Sequence, residues 1–426
     1  MTGLHTTLFC ALWLIAAVPA GARDDPTGPT NGPGPVPQTG LDTVTVMDRS
    51  PLSRIEALTA RFRTELNTPS ADYDLADESF EVYVPQGYDG TERFGLIVWV
   101  SPGPNGAPPE SFRPILDKHK LIWIGANNSG NPRSFWHRAG LALDGLYDAK
   151  KQFNIDPMRT YISGLSGGGR CASRIGLTYA DLFAGAFPMI GVDYFKRLPH
   201  PDSTARKLVF WGRAFNPPTP RILRKAKRDN RYVLLTGETD GNRIQTLVTY
   251  QFGFQRAKFA YVTYLQVPGM GHTLPPADWF EKGITALDAP LAEVRERRET
   301  EAKRKLARAL DRLQRSPPHG IKALEELLRD YPDTSFATQA ADELERATEN
   351  QPTTRPDSPE PNETQRAQAP PPSDRAREDL ALARNYLNAG RTDLARDLCN
   401  QIIKYYPDSE QAQQARALLE GMTTQD

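Results

Sequence analysis

The chain has 426 residues, long enough to bury a sizeable core and to carry a second module. Its 52 Lys and Arg cancel its 52 Asp and Glu, so no net charge favours nucleic acid or an acidic lipid surface as a partner. Cys10 lies in an N-terminal apolar run and Cys171 and Cys399 fall in different predicted domains, which argues against a disulfide framework.

The first predicted element is the apolar run Leu8 to Val18, too short to span a bilayer comfortably. Pro19-Ala20-Gly21-Ala22 follows as a small-x-small site. Residues 1–22 therefore read as an export signal cleaved before Arg23, with no membrane span in the mature chain and a periplasmic or secreted location. The n-region is weak, since only the α-amino group and His5 can carry positive charge before the run, and the rival reading is an uncleaved anchor. Residues 23–40 are crowded with Pro and Gly and read as a disordered linker.

Residues 41–289 read as an α/β domain, a mostly parallel sheet flanked by helices. Gly95 to Val100 is strand-like and runs into Ser101-Pro102-Gly103-Pro104-Asn105-Gly106. Leu121 to Gly125 is the next such run and opens into Ala126 to Asn131, with Trp136 and His137 close behind. That loop makes Asn128 and Trp136 candidate substrate contacts, against the simpler reading of ordinary turn chemistry. Tyr161-Ile162-Ser163 then leads into Gly164-Leu165-Ser166-Gly167-Gly168, with a helix-like segment from Cys171 to Tyr179. A nucleophilic serine needs this context. The sharp strand-to-helix turn strains its backbone and holds its Oγ out at the top of the sheet, while the helix start points free N–H groups at the site.

Two more strand-like runs end in chemistry. Arg231 to Thr236 runs into Gly237-Glu238-Thr239-Asp240-Gly241, and Phe259 to Val267 runs into Pro268-Gly269-Met270-Gly271-His272. Open α/β sheets place their ligands at such C-terminal strand ends, and a serine hydrolase of this architecture takes its acid and its histidine in that chain order. Ser166 is thus the candidate nucleophile, His272 the base and Asp240 the orienting acid. Glu238 is a rival acid, more simply read as a hydrogen-bonding residue in its loop, and Asp193 after the strand-like Gly185 to Val192 is another. No Cys, His and carboxylate cluster has metal spacing and no Gly-rich loop ends in Lys-Ser/Thr, so no metal or other cofactor is expected.

These motifs resemble the secreted esterases of the α/β-hydrolase superfamily, in particular the polyhydroxybutyrate depolymerase and feruloyl esterase type. The resemblance covers roughly residues 75 to 285 and rests on three runs. Asp156-Pro157-Met158-Arg159-Thr160-Tyr161 precedes the Ser166 motif, Gly237 to Asp240 matches a Gly-x-x-Asp, and Gly269 to His272 matches a Gly-x-Gly-His. It implies Ser166 as nucleophile, Asp240 as acid and His272 as base, acting on carboxylic esters, polymeric or small. The family's early His-Gly pair is missing. Pro102 and Pro104 have no N–H to donate, so Gly103 is expected as the second oxyanion donor beside the N–H of Gly167. That altered loop favours an alternative, a catalytically weak or inactive hydrolase-fold scaffold. Peptidase action on the same triad is a third reading.

From Pro290 the composition turns to Arg, Glu, Lys and Ala, and residues 290–350 read as a helical region containing a first repeat unit. Ala323 to Thr334, with Ala337 and Ala340, is echoed by Leu398 to Ser409, with Ala412 and Ala415. Tyr-Pro-Asp-Ser/Thr breaks a helix, and its Ser or Thr suits the cap of the next. The pattern resembles tetratricopeptide-type helix pairs. Residues 351–373 form a Pro-rich linker and 374–421 the second unit, whose first helix ends at Gly390-Arg391. Two separated units fall short of the three that usually stabilise a solenoid, so packing on the catalytic domain, self-association or a protein partner is expected.

Overall fold

The computed structural model describes residues 38–46, 48–64, 73–202 and 207–349, and further on 380, 383–384, 387, 395–396, 399–400, 402–403 and 409–423. The expected signal (1–22), nearly all of the expected first linker and the Pro-rich linker (351–373) lie outside them. Ten strands come in chain order. They are β1 (Gly40–Val44), β2 (Phe80–Val84), β3 (Phe94–Val100), β4 (Leu121–Ala126), β5 (Ile155–Leu165), β6 (Gly185–Met189), the short pair β7 (Leu198–Pro199) and β8 (Phe210–Trp211), β9 (Arg231–Gly237) and β10 (Tyr261–Val267). Between and after them run α1 (Ile55–Phe62), α2 (Arg113–Lys118), α3 (Phe135–Gln152), α4 (Gly167–Thr178), α5 (Pro220–Arg228), α6 (Arg243–Val248) and α7 (Ala277–Asp288).

Eight strands form one sheet in the order β1-β2-β4-β3-β5-β6-β9-β10. β2 runs antiparallel to β1 and β4, and every pair from β4 through β10 is parallel. This is the helix-flanked, mostly parallel sheet of the α/β-hydrolase fold. Its central strands are apolar without a break because both faces are covered: every residue of β3, β4 and β9 is buried. Alternation then sorts side chains between faces. Leu96, Val98 and Val100 of β3 pack with Leu141 and Leu143 of α3 and Ile175 of α4. Ile97 and Trp99 face the other way, toward Ile115 and Leu116 of α2 and Phe280 and Ile284 of α7.

Three departures from the expected bounds have an identifiable cause. α4 begins at Gly167 rather than Cys171, because Ser166 itself is the residue that turns strand into helix. β6 ends at Met189 rather than Val192, since Ile190 takes a left-handed φ of 48° that no strand accommodates. β10 starts at Tyr261, two residues late, because Lys258 turns at φ 59° and Phe259 packs its ring on Tyr232 and Phe254.

Three more helices follow: α8 (Leu291–Arg315), α9 (Pro317–Asp330) and α10 (Phe336–Glu349). Leu306, Ala309, Leu324, Leu327 and Ala340 form their shared core. Thr334 opens α10 differently from the expected cap: its hydroxyl donates back to the Tyr331 carbonyl, and its own carbonyl accepts from the Ala337 N–H. One compact unit extends to Gln351, so α8–α10 belong with the sheet, and a second begins at Pro352. The second has its own apolar cluster, including Leu380, Ala383, Cys399, Ala412 and Ala415, and its helix α11 (Glu410–Thr423) is capped by the Ser409 hydroxyl, which accepts from the Ala412 N–H at 3.1 Å. Its expected turns at Gly390-Arg391 and Tyr405 to Asp408 lie outside the described residues. No helix among the described residues is long and apolar enough to cross a membrane.

Candidate active site

Ser166 stands between the last residue of β5 and the first of α4, at φ 55° and ψ −117°. An L-residue rarely takes this conformation, and the surroundings must hold it. The Ser166 N–H donates to the Met189 carbonyl at 2.8 Å, and its carbonyl accepts from the Arg170 N–H at 3.0 Å, closing the first turn of α4. That turn presses directly on β3. A Cβ at Gly168 would run into the Val100 carbonyl and lie 2.8 Å from its carbon, so only glycine lets the helix start there.

His272 reaches Ser166 from the loop after β10. Its Nε2 lies 2.8 Å from Ser166 Oγ, and its Nδ1 lies 2.7 Å from Asp240 Oδ1. The imidazole is 47% exposed, whereas the Asp240 side chain is fully buried. Burial is tolerated because the carboxylate is fully hydrogen-bonded: the Thr236 hydroxyl donates to Oδ2 at 2.8 Å and the Asn242 N–H to Oδ1 at 3.1 Å. The two loops are tied together, with the Thr239 N–H donating to the Met270 carbonyl at 2.9 Å.

The rival carboxylates are engaged elsewhere. Glu238 accepts from the Gly269 N–H at 2.8 Å and braces the histidine loop. Asp193 is buried between Arg170 at 2.7 Å and Arg174 at 2.5 Å. Gly103, expected as an oxyanion donor, already donates its N–H to Ser101 Oγ at 3.1 Å. The Gly167 N–H, at the first position of α4, has no acceptor within the helix. Asn128 is an exposed turn residue at φ 52° whose N–H donates to the Pro104 carbonyl at 2.7 Å. Trp136 packs edge-on against Phe62 and Phe135, so the contacts it makes are those of the aromatic cluster beneath α3.

Several residues around the site carry no sequence signal. Arg138 of α3 is buried and gathers three segments: its guanidinium donates to the carbonyls of Ser129 at 2.8 Å, Ser101 at 2.8 Å and Gly167 at 3.4 Å. Arg170 of α4 joins Asp193 to the side chains of Asn242 and Gln245, at 3.2 and 2.7 Å. Thr236 sits four residues before Asp240, a spacing visible in sequence but without meaning until the loop folds back on the strand.

Residues 379–409 match the tetratricopeptide-repeat family. No curated protein matches the chain. Among solved structures it is similar to an S-formylglutathione hydrolase from Staphylococcus aureus, at 16% identity and a TM-score of 0.38 over 49% of this chain and 92% of that one. A ferulic acid esterase aligns at 14% identity and a TM-score of 0.38, over 60% of this chain and 100% of its own. A thermophilic esterase from Thermogutta terrifontis aligns at 16% identity and 0.37, over 52% of this chain and 91% of its own.

Proposed function

We propose that this chain is an exported serine hydrolase that cleaves carboxylic esters through an acyl-enzyme on Ser166, with its C-terminal helical units serving to bind protein partners or a second copy. One observation carries the catalytic part: an unbroken line of hydrogen bonds from Ser166 Oγ through His272 to buried Asp240, spanning the ends of β5, β10 and β9. Export rests on the N-terminal apolar run and its small-x-small site, and partner binding on the tetratricopeptide match.

The chemistry follows from the geometry. As Ser166 Oγ forms a bond to the ester carbonyl carbon, its proton passes to His272 Nε2, and the carbonyl π electrons move onto oxygen. Asp240, accepting from His272 Nδ1–H, fixes the tautomer that leaves Nε2 free and stabilises the imidazolium. Collapse of the tetrahedral adduct breaks the bond to the alkoxy oxygen, which takes the proton from Nε2 and departs as the alcohol. A water molecule, deprotonated in turn by Nε2, then bonds to the acyl carbon, and collapse breaks the bond to Ser166 Oγ, which takes the proton back from Nε2 as the acid leaves. The strained Ser166 backbone contributes by keeping Oγ out at the top of the sheet.

Labelling with a fluorophosphonate, read by intact mass on protein beginning at Arg23, tests this directly. One adduct that is absent from Ser166→Ala is the expected result. The scaffold reading draws on the engaged Gly103 N–H and predicts no adduct on folded protein; that outcome would remove the proposed mechanism.

A further inference from the structure

Most of the loop after β3 is withdrawn as a source of backbone donors to a developing oxyanion. Pro102 and Pro104 lack an N–H, the Gly103 N–H is held by Ser101 Oγ, and the Gly106 N–H donates to Asn127 Oδ1 at 3.0 Å. The neighbouring loop after β4 is laid along it. The Asn131 N–H donates to the Pro102 carbonyl at 2.9 Å and the Asn128 N–H to the Pro104 carbonyl, while Arg138 ties Ser129 and Ser101 to the start of α4 from behind.

This arrangement sets the Asn131 side chain over the residue that follows the serine. A Cβ at Gly167 would strike Asn131 Oδ1 and lie 2.9 Å from its Cγ and 3.2 Å from its Nδ2. Glycine at 167 is thus the space the carboxamide occupies. Asn131 is exposed, and among the described residues its carboxamide has no hydrogen-bond partner. A half-turn about its last bond exchanges Oδ1 for Nδ2 at little cost, so the group can present either an acceptor or a donor beside Gly167.

We infer that the Asn131 carboxamide supplies the second oxyanion donor, its Nδ2–H acting beside the Gly167 N–H in place of a donor from the loop after β3. The inference rests on the ester-hydrolase reading above. A neutral amide is a suitable donor here, because it interacts more strongly as negative charge gathers on the oxygen than with the ground-state carbonyl. No proton is transferred and the serine chemistry is otherwise unchanged.

The test uses the full chain, p-nitrophenyl acetate as probe ester and a trifluoromethyl ketone that forms a tetrahedral adduct with an active serine. In Asn131→Ala, kcat/KM falls about a hundred- to a thousandfold and affinity for the ketone falls in parallel, with the thermal midpoint unchanged. Asn131→Asp, which sets a carboxylate beside the oxyanion, is at least as slow. A labelled wild type whose Asn131→Ala variant stays within threefold in kcat/KM overturns the inference alone. So does a slow variant whose ketone affinity is unchanged and whose thermal midpoint has dropped, since that marks a merely structural residue. A wild type with no Ser166-dependent labelling or turnover overturns both this inference and the reading it rests on.

Discussion

The two ends of the sheet treat polar groups in opposite ways. At the C-terminal ends of β5, β9 and β10, Asp240 is buried and saturated, but the line of hydrogen bonds leads outward to a half-exposed imidazole and on to the Ser166 hydroxyl. At the other end, just before β9, Asp229 is 3% exposed and closed in from every side. It accepts from Arg228 at 2.9 Å, Arg297 at 3.1 Å and Arg298 at 3.2 Å, and Arg298 continues to Asp333 and to the Asp330 carbonyl. Burial pushes the Asp229 carboxyl up, yet its Arg228 hydrogen bond and the charges of Lys225 and Arg298 outweigh burial and hold it below its ordinary range. The candidate site keeps its imidazole half open to solvent, while the groups that lock α8 onto the core are buried.

That contrast can be broken at either end. The largest effect is expected at the site. Asp240→Asn leaves the hydrogen-bond geometry in place but favours the wrong imidazole tautomer, and kcat for ester hydrolysis falls about 10⁴-fold while the unfolding midpoint changes little. A stopped assay with p-nitrophenyl acetate beside a thermal melt reads both. If Asp240→Asn retains wild-type turnover, His272 is oriented by something other than Asp240.

At the base the order of effects reverses. Asp229→Ala strands Arg298, which is 1% exposed, without one of its carboxylates, and stability drops by about 3–5 kcal/mol in denaturant unfolding. Specific activity of the folded fraction is expected to be unchanged. A loss of turnover without a loss of stability would mean that the base and the site communicate.

The smallest effect concerns Lys225 on α5. Burial, with the Arg298 charge second, pushes its ammonium down to about 8 from an ordinary 10.5. Between those values the unfolded chain holds a proton that the folded chain has released, so this group makes stability rise with pH across that window. Lys225→Met should remove roughly 1–2 kcal/mol of that rise, allowing for partial exposure of the side chain. Denaturant midpoints at pH 7 and pH 10.5 for both proteins give the difference, and parallel curves would show that Lys225 is solvated.

The strands around the site are legible because their composition answers to burial on both faces. β3, β4 and β9 lie within a residue or two of their expected bounds for that reason. The ends that moved did so for reasons that apolar runs do not carry. Ile190 leaves β6 because its left-handed φ of 48° turns the chain out of the strand, and β10 waits for Phe259 to finish packing on Tyr232. The prolines on either side of Gly103 single it out in the sequence as a donor, but a serine two residues earlier in the same loop takes that N–H, and hydroxyl rotamers leave no imprint in sequence.

Residue type and spacing carry what local geometry demands: a serine flanked by glycines where a strand turns into a helix, and a carboxylate and a histidine at later strand ends. These requirements are steric and short in range, so they show in residue type and spacing. Docking of distant segments settles which of three carboxylates meets His272, that the Asn131 side chain lies over Gly167, and that α8–α10 close onto the core through Asp229 and Arg298. Each of those depends on contacts between residues distant along the chain, where the partner is chosen by how loops and helices dock and not by any neighbour in sequence.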